Sequence, residues 1–551
     1  MRSLLALLAF ALLAPAQEVS QSGLRLSAAR PMVSQPMRSP KAMVASVNEL
    51  ATQAGIDILH KGGNAIDAAV AVAFTLAVVH PEAGNLGGSG YMLVRLSSGE
   101  IHAIDYAGTA PAAAKPGMFA STREANVGYK SAAIPGTPAG FGLAHEKFGR
   151  LKWAQCLEPA RKLAKEGFAA SQRLELILKL QVPVMKAFAD SSRIFLKGSE
   201  NPLKQGELVL QPDLAATILR MQRKGAREFY EGETARRIAA DMAASGGMIT
   251  YEDMKGYEAR LTKPLRVAYR GHPVLIMPPS SSGGIAVAVI LNVLNRYPAQ
   301  LGMEGSSASR HLQIEAMRRG FAARDLEFNQ GESAVPKLLS EEYASQAVQN
   351  LKLDRAGMPP AAAPDTESPD TTHFTIVDRD GNIVTNTYTL SGFFGSQVIA
   401  RGTGVLLNNH MSVFSNRAGS YNSIAPGRRY RSTMSPAIVL RPDGSPLVAL
   451  GTPGGGTIPS TIAQVIVNMV DFKMSLRDAI EFPRIHLQRT QVDAEPGALV
   501  FDVAEKLKSM GHKLNPTLRS QGDVSAIAIE EGTGWRTGWA DGRRGGIVKG
   551  Y

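Results

Sequence analysis

The sequence has a single cysteine, Cys156, in 551 residues. One thiol cannot form an internal disulfide or a multi-cysteine metal site, so we expect Cys156 to be a small buried apolar residue. The 60 lysines and arginines give a net charge of +12, but they are dispersed, and no basic run with interleaved aromatic residues occurs. We therefore expect no nucleic-acid partner.

Several familiar catalytic motifs are also missing. There is no Gly-x-x-x-x-Gly-Lys-Ser/Thr loop, and the serines of "PPSSSGG" are more simply the cap of the apolar helix that follows. "GGSGY" has Tyr91 at the last glycine position of Gly-x-Ser-x-Gly, and "HEKFG" has Gly149 where a zinc protease needs its second histidine. The ten histidines are scattered, so the sequence predicts no metal and no other cofactor.

Long hydrophobic runs are absent after the N-terminus. There, "SLLALLAFALL" follows Met1-Arg2 and precedes Ala14-Pro15-Ala16, which is the pattern of a signal peptide spanning residues 1–16. A membrane anchor is the alternative, but the run is too short to span a bilayer. We expect an exported protein, periplasmic or secreted, with no integral membrane segment.

The order of predicted elements indicates the fold class. Hydrophobic residues make up 44% and charged residues 20% of the chain, which is typical of a globular protein with a sizeable core. Strand-like groups alternate only coarsely with helical groups such as "LAATILRMQRKGAREFYEGETARRIAADMAASGG". This grouping favours a layered α+β sandwich over a doubly wound sheet.

A Pro- and Ala-rich linker, about residues 351–370, ends abruptly at Asp370-Thr371-Thr372, where strand-like sequence begins. The hydroxyl of Thr371 is suited to attack the Asp370 carbonyl and cut the chain. The new α-amine, with a reference pKa near 8, then serves as the base for the same hydroxyl. The alternative is that both threonines simply open a β-strand, for which β-branched residues are well suited.

The wider sequence resembles the γ-glutamyltranspeptidase (glutathione hydrolase) family of N-terminal-nucleophile hydrolases. The resemblance covers nearly all of the mature chain. Its motifs are "ATQAGIDILHKGGNAIDAAVAVAFTLAVVHPEAGNLGGSG", "IPGTPAGF", "MPPSSSGG", "TTHFTIVDRDGN", "LLNNHM", "STMSPAIV", "GTPGGG" and the terminal "GY". It implies a four-layer αββα sandwich formed jointly by a large subunit, residues 17–370, and a small catalytic subunit, residues 371–551.

The resemblance also implies roles for individual residues. Thr371 matches the autoprocessing nucleophile, and Thr389 matches the threonine that orients it. Gly454 and Gly455 match the backbone donors of an oxyanion hole, for which glycine allows close approach of the main chain. Ser432 and Thr433 match a serine pair that binds the substrate's α-carboxylate.

The substrate-binding half of the pattern is altered at four positions. Ala107 replaces an arginine that clamps the α-carboxylate, and Val413 replaces an aspartate that takes the α-ammonium group. Ser391 replaces an asparagine, and His410 replaces a Gln or Glu. Each lost charge-assisted interaction corresponds to about 1.5–3 kcal/mol. Arg431, in "RRYR", is a candidate for the missing cation, with a solvated surface turn as the alternative.

Three functions follow from these residues. The first is an exported, self-processing γ-glutamyltransferase or glutathione hydrolase. It would transfer a γ-glutamyl group from a glutathione-like amide to water, an amino acid or a peptide. The second is a diverged amidase or acylase of the same family, with a glutaryl-like acyl group and no recognition of an α-amino group. The third is a binding protein that kept the fold without catalysis, which the retention of Thr371, Thr389 and the glycine pair argues against.

Overall fold

The computed structural model describes residues 35–299, 301–358, 370–517 and 519–551. The predicted signal peptide and most of the predicted linker lie outside these residues. From Arg38 to Tyr551 the chain forms one compact unit. Within the described ranges, no helix combines the length and the apolar character needed to cross a bilayer.

Two seven-stranded sheets form the centre of the fold. In spatial order, sheet A contains β1 (Met37–Ser39), β20 (Arg536–Ala540), β19 (Ser525–Ile529), β15 (Pro446–Gly451), β14 (Ala437–Leu440), β9 (His272–Ile276) and β8 (Leu265–Tyr269). Sheet B contains β21 (Ile547–Gly550), β2 (Met43–Ser46), β10 (Asp370–Val377), β11 (Ile383–Ser391), β3 (Ser89–Arg95), β4 (Ile101–Tyr106) and β7 (Arg260–Thr262). The sheets face each other, with β10 and β11 packed on β15 and β19.

Among the residues that the structure describes, seven shorter strands lie outside these sheets. They are β5 (Phe168–Ala169), β6 (Leu208–Val209), β12 (Ile399–Ala400), β13 (Val405–Leu406), β16 (Ile485–Gln488), β17 (Gln491–Ala494) and β18 (Lys513–Pro516).

Helices cover the outer face of each sheet. Those of the first half of the chain are α1 (Glu49–His60), α2 (Ala65–Val79), α3 (Thr122–Asn126), α4 (Thr137–Phe148), α5 (Trp153–Glu166), α6 (Gln172–Met185), α7 (Ala189–Phe195), α8 (Pro212–Lys224), α9 (Glu228–Glu231), α10 (Glu233–Ala244) and α11 (Tyr251–Lys255). The rest are α12 (Ser282–Leu294), α13 (Ser307–Gln330), α14 (Val335–Leu338), α15 (Glu341–Gln349), α16 (Ile458–Val470), α17 (Leu476–Glu481) and α18 (Phe501–Ser509). Helix α2 packs on sheet B, and α12 packs on sheet A. The predicted four-layer αββα architecture is confirmed.

Helix α2 shows how the sequence builds these layers. All fifteen of its residues are buried, as the alanines and valines on all of its faces predict, because it lies between sheet B and the helices α1 and α5. A capping box of Asn64 and Asp67 closes its N-terminus. Helix α12 likewise begins at a serine cap, since Ser281 Oγ accepts the N–H of Gly284 at 3.2 Å.

The hairpin of β10 and β11 lies in the middle of sheet B. All residues of β10, from Asp370 to Val377, are buried. Phe374 and Ile376 belong to the core on the helical side of the sheet. Because strand side chains alternate in direction, Thr371, His373 and Thr375 face the other way, towards sheet A. The fold therefore encloses Thr371 between its two sheets.

Candidate active site

Thr371 and Thr389 lie opposite each other on β10 and β11. Both are 5% exposed, and the pairing register shifts between Asp370 and Thr371. The Thr389 hydroxyl donates to the Asp370 carbonyl at 2.8 Å and accepts the Ser391 N–H at 2.8 Å. These two hydrogen bonds hold the Thr389 hydroxyl against the Asp370 carbonyl, which directly precedes Thr371.

A polar layer continues inward from Thr371 between the two sheets. His373 lies 2.8 Å from the Thr387 hydroxyl and 3.0 Å from that of Thr375. Burial lowers the pKa of His373 to about 3, so the imidazole is neutral at pH 7. A Cβ at Gly451 of sheet A would lie 2.1 Å from this ring, so glycine allows the close approach of the sheets. No sequence motif gave a role to His373, although its i, i+2 spacing from Thr371 places both residues on one strand face.

The glycines of "GTPGGG" follow strand β15. Gly454 has a φ of +141° and Gly455 a φ of +58°, which are conformations that favour glycine. Thr433 holds this loop, because its hydroxyl donates to the Gly455 carbonyl at 2.8 Å. Among the described residues, no acceptor is bonded to the N–H of Gly454 or of Gly455. The pair therefore has the backbone donors that an oxyanion requires.

Ser432 and Thr433 lie beside this loop because they precede β14, the neighbour of β15. The Ser432 carbonyl accepts the Ser282 N–H at 2.8 Å, at the start of α12. The Ser432 hydroxyl accepts the Met434 N–H at 3.1 Å. These contacts hold the predicted carboxylate-binding pair rigidly next to the predicted oxyanion hole.

The four altered positions are buried, and we refer to them together as the acyl wall: Ala107, Ser391, His410 and Val413. The His410 ring stacks on Tyr430 with centroids 4.4 Å apart, and a Cβ on Gly108 would lie 3.3 Å from its Nδ1. Burial lowers the pKa of His410 to about 3, so it brings no charge near neutrality. Val413 is 4% exposed and belongs to the apolar core, and Ser391 adopts a φ of +83°.

Two arginines flank this wall. Arg431 is 3% exposed and paired with Glu327, and its guanidinium lies over the Tyr421 ring at 5.2 Å. Burial lowers the pKa of Arg431 to about 10, against the opposing effects of Tyr91 and Asp105. Arg429, which the sequence analysis did not single out, donates to the Ala107 carbonyl at 2.8 Å. Arg429 also pairs with the Asp105 carboxylate at 3.6 Å. The "RRYR" run thus brings two buried cations to this part of the site, each already paired with a carboxylate.

A second cluster, of side chains that could ligate a metal, lies at the start of α2. Asp67, His145 and Cys156 bring their ligand atoms within 4.8 Å of one another. The Asp67 carboxylate, however, accepts backbone N–H groups of Asn64, Arg150 and Leu151 at 2.9–3.2 Å. Burial, together with Asp67, raises the pKa of the Cys156 thiol. Because the carboxylate already carries these backbone bonds, we explain the cluster as a brace for the start of α2. Cys156 is buried, as predicted.

Comparison with known proteins agrees with this geometry. The family model of gamma-glutamyltranspeptidase matches residues 51–551. A glutathione hydrolase proenzyme of Pseudomonas sp. (strain A14) is 37% identical over 505 residues, covering 87% of each chain. An acylase ACY 1 proenzyme of Pseudomonas sp. (strain V22) is 34% identical, over 90% of this chain and 91% of its own.

Among solved structures, a cephalosporin acylase from Bacillus halodurans superposes with a TM-score of 0.85 at 27% identity, over 95% of this chain and 98% of its own. The resemblance found in the sequence motifs is thereby confirmed at the level of the whole fold. The chain therefore belongs to the γ-glutamyltranspeptidase family, whose members are hydrolases and transferases with an N-terminal nucleophile.

Proposed function

We propose that the precursor cleaves itself between Asp370 and Thr371 and that Thr371 then catalyses amide hydrolysis or acyl transfer. In the first step, the Thr371 hydroxyl attacks the Asp370 carbonyl and the acyl group moves from nitrogen to oxygen. Water then hydrolyses the ester, which gives a carboxylate on Asp370 and a free α-amine on Thr371. The products are the large subunit, ending at 370, and the small subunit, 371–551. The predicted leader implies that this occurs in an exported protein.

The observation that carries this proposal is the hydrogen bond from the Thr389 hydroxyl to the Asp370 carbonyl, 2.8 Å long. A donor at a carbonyl oxygen stabilises the negative charge that develops there when a nucleophile attacks the carbon. The Ser391 N–H, which donates to Thr389 at 2.8 Å, leaves that hydroxyl oriented as a donor. Both contacts support activation of this one peptide bond.

In the mature enzyme, the Thr371 amine takes the proton of its own hydroxyl as the oxygen attacks the substrate carbonyl. The N–H groups of Gly454 and Gly455 hold the oxyanion. The proton passes to the departing amine, and an ester to Thr371 remains. Water or a second amine attacks this ester and releases the acyl group, which regenerates the threonine.

The acyl wall supports a group without an α-amino substituent. Val413 presents an apolar side chain where an ammonium ion would lose its hydration without a counter-ion. His410 is neutral and Ser391 is uncharged, so this wall has no anion to offer. We infer a glutaryl-like acyl group, and the acylases among the relatives are consistent with that choice.

Two anilides with the same chromophore test this choice. We expect purified enzyme to hydrolyse the glutaryl p-nitroanilide with a kcat/KM at least about tenfold above that of the γ-glutamyl p-nitroanilide. The reason is that the α-ammonium group of the γ-glutamyl substrate finds no charge-assisted hydrogen bond at Val413, and one such bond corresponds to about 1.5–3 kcal/mol. A strong preference for γ-glutamyl would contradict the inference from Ala107 and Val413, while leaving Thr371 as the nucleophile.

A Val413→Asp substitution should shift the selectivity from the glutaryl towards the γ-glutamyl substrate. The new carboxylate would pair with the substrate ammonium, so we expect the γ-glutamyl to glutaryl ratio of kcat/KM to rise ten- to about a hundredfold. Val413→Asn has nearly the same shape without the charge and is the matched control. Equal effects of Asp and Asn would show that Val413 does not face the α-amino position.

A further inference from the structure

The row of strand ends in sheet A places a second group of charged residues beside the nucleophile. Ser432 and Thr433 precede β14, Gly454 and Gly455 follow β15, Asp523 precedes β19, and Arg544 follows β20. These four strands are neighbours in that order. The two glycines therefore lie between the predicted carboxylate-binding pair on one side and Asp523 with Arg544 on the other.

Direct contacts tie Asp523 and Arg544 to the glycine loop. The Asp523 N–H donates to the Thr452 hydroxyl at 2.7 Å, and the Arg544 N–H donates to the Asp523 carboxylate at 3.1 Å. A Cβ on Gly454 would lie 3.4 Å from the Cα of Gly522. The two charged residues are thus part of the same rigid rim as the predicted oxyanion hole.

One charge of this rim, that of Arg544, lies close to the residue before the scissile bond. Arg544 is half-buried and interacts electrostatically with Asp523 and with Asp370, the residue that precedes the nucleophile. Arg173 lies close enough to lower the pKa of Arg544 further, although burial is the main cause of that shift. Arg173 itself donates to Glu82 at 3.2 Å.

The carboxyl group of Asp523 offsets only part of the positive charge of Arg544 and Arg173. Burial, followed by the nearby Asp541, raises the pKa of Asp523 to about 7. Its carboxyl group is therefore only partly ionised near neutral pH. In the uncleaved chain, the side chain of Asp370 supplies a further negative charge to this rim.

We propose that Arg544, with Arg173 beside it, binds a carboxylate carried by the amine portion of the substrate. This inference rests on the proposed function, because self-cleavage makes Asp370 the chain end of the large subunit, and this end must move away from Arg544 before a substrate carboxylate binds there. Ser432 and Thr433, the predicted binding pair for the carboxylate of the acyl group, lie on the other side of the glycines, so the amine leaves on the Arg544 side. The substrates are then acyl amides of amino acids, peptides or other amines that carry a carboxylate, and transfer acceptors belong to the same class.

Two anilides that share one acyl group test this assignment. One releases p-nitroaniline, and the other releases 3-carboxy-4-nitroaniline, which adds only a carboxylate. We expect wild-type kcat/KM to be about tenfold higher for the carboxylated anilide, because a partly buried guanidinium forms a charge-assisted bond to it. The preference should shrink as sodium chloride is raised, since salt screens the charge interaction.

The same ratio, measured per mole of cleaved enzyme, separates the role of Arg544 from a structural one. We expect Arg544→Gln to bring the ratio close to one and Arg544→Lys to keep part of it. Arg266→Gln is the matched control, because it removes an equal charge from an exposed position on the outer strand β8 of the same sheet. It should keep the wild-type ratio.

The possible outcomes are distinct. A wild-type ratio near one overturns the assignment whatever the variants do. An unchanged ratio in cleaved Arg544→Gln also overturns it, while hydrolysis of both anilides leaves the proposed function standing. If wild-type enzyme hydrolyses neither anilide with a γ-glutamyl or a glutaryl group, the proposed function fails and this inference fails with it.

Discussion

A Thr371→Ala variant is expected to remain one uncut chain and to lose amide hydrolysis. Alanine has no hydroxyl to attack the Asp370 carbonyl, so neither the chain break nor the acyl-enzyme can form. The loss of a nucleophile typically costs about 10⁴- to 10⁶-fold in kcat, and here the catalytic amine is lost as well. Denaturing gel electrophoresis and an anilide assay measure both effects on one preparation.

The neighbouring threonine provides the control for this experiment. Thr372 is 1% exposed, lies on the same strand and points to the opposite face of sheet B. Thr372→Ala removes an equal number of atoms and should still be cleaved. Thr371→Ser keeps a hydroxyl and should be cleaved, at a different rate. If Thr371→Ala still divides between 370 and 371, the assignment of the nucleophile is wrong.

A Gly454→Ala substitution is expected to give the second largest loss. At a φ of +141° an alanine is strained, and its Cβ would lie 2.4 Å from the Thr457 hydroxyl oxygen. The loop must then shift, which moves the N–H groups of Gly454 and Gly455 away from the oxyanion. Removing one such donor lowers kcat about 10²- to 10³-fold. Steady-state kinetics on the cleaved variant measure this effect, which we expect in kcat more than in KM.

Gly444→Ala separates loss of the donors from backbone strain alone. Gly444 also has a positive φ, +86°, but it lies between β14 and β15 at the far end of the hairpin, where a Cβ meets nothing within 4 Å. It should lower thermal stability slightly and leave kcat close to wild type. Equal losses of kcat in the two variants would contradict an oxyanion role for Gly454.

The parts of the fold that the sequence predicted are those encoded locally. The alanines and valines on all faces of "AIDAAVAVAFTLAVV" predicted a buried helix, and α2 is buried along its whole length. "PPSSSGG" predicted a serine cap, and Ser281 provides it. The change from linker composition to alternating strand residues marked the start of β10 at Asp370. Each of these signals lies within about twenty residues of chain.

The features that the sequence did not predict depend on contacts between distant segments. Arg429 reaches the Ala107 carbonyl 322 residues away, and nothing near either residue in sequence indicates the contact. The close fit of Gly451 against His373 exists only because two separate sheets meet face to face. Asp523 and Arg544 join the site through the order of strands in sheet A, which local pattern does not encode. Local sequence therefore could not predict which residues of the two sheets contact each other.

The most direct test of the central claim is to identify the residue that carries the acyl group. Wild-type enzyme would be mixed with an excess of acyl anilide, quenched in acid within one turnover, digested and analysed by peptide mass spectrometry. We predict a small subunit beginning at Thr371 and an acyl mass on that N-terminal residue. An acyl group on any other side chain, or active enzyme whose chain is intact at 370/371, would contradict it.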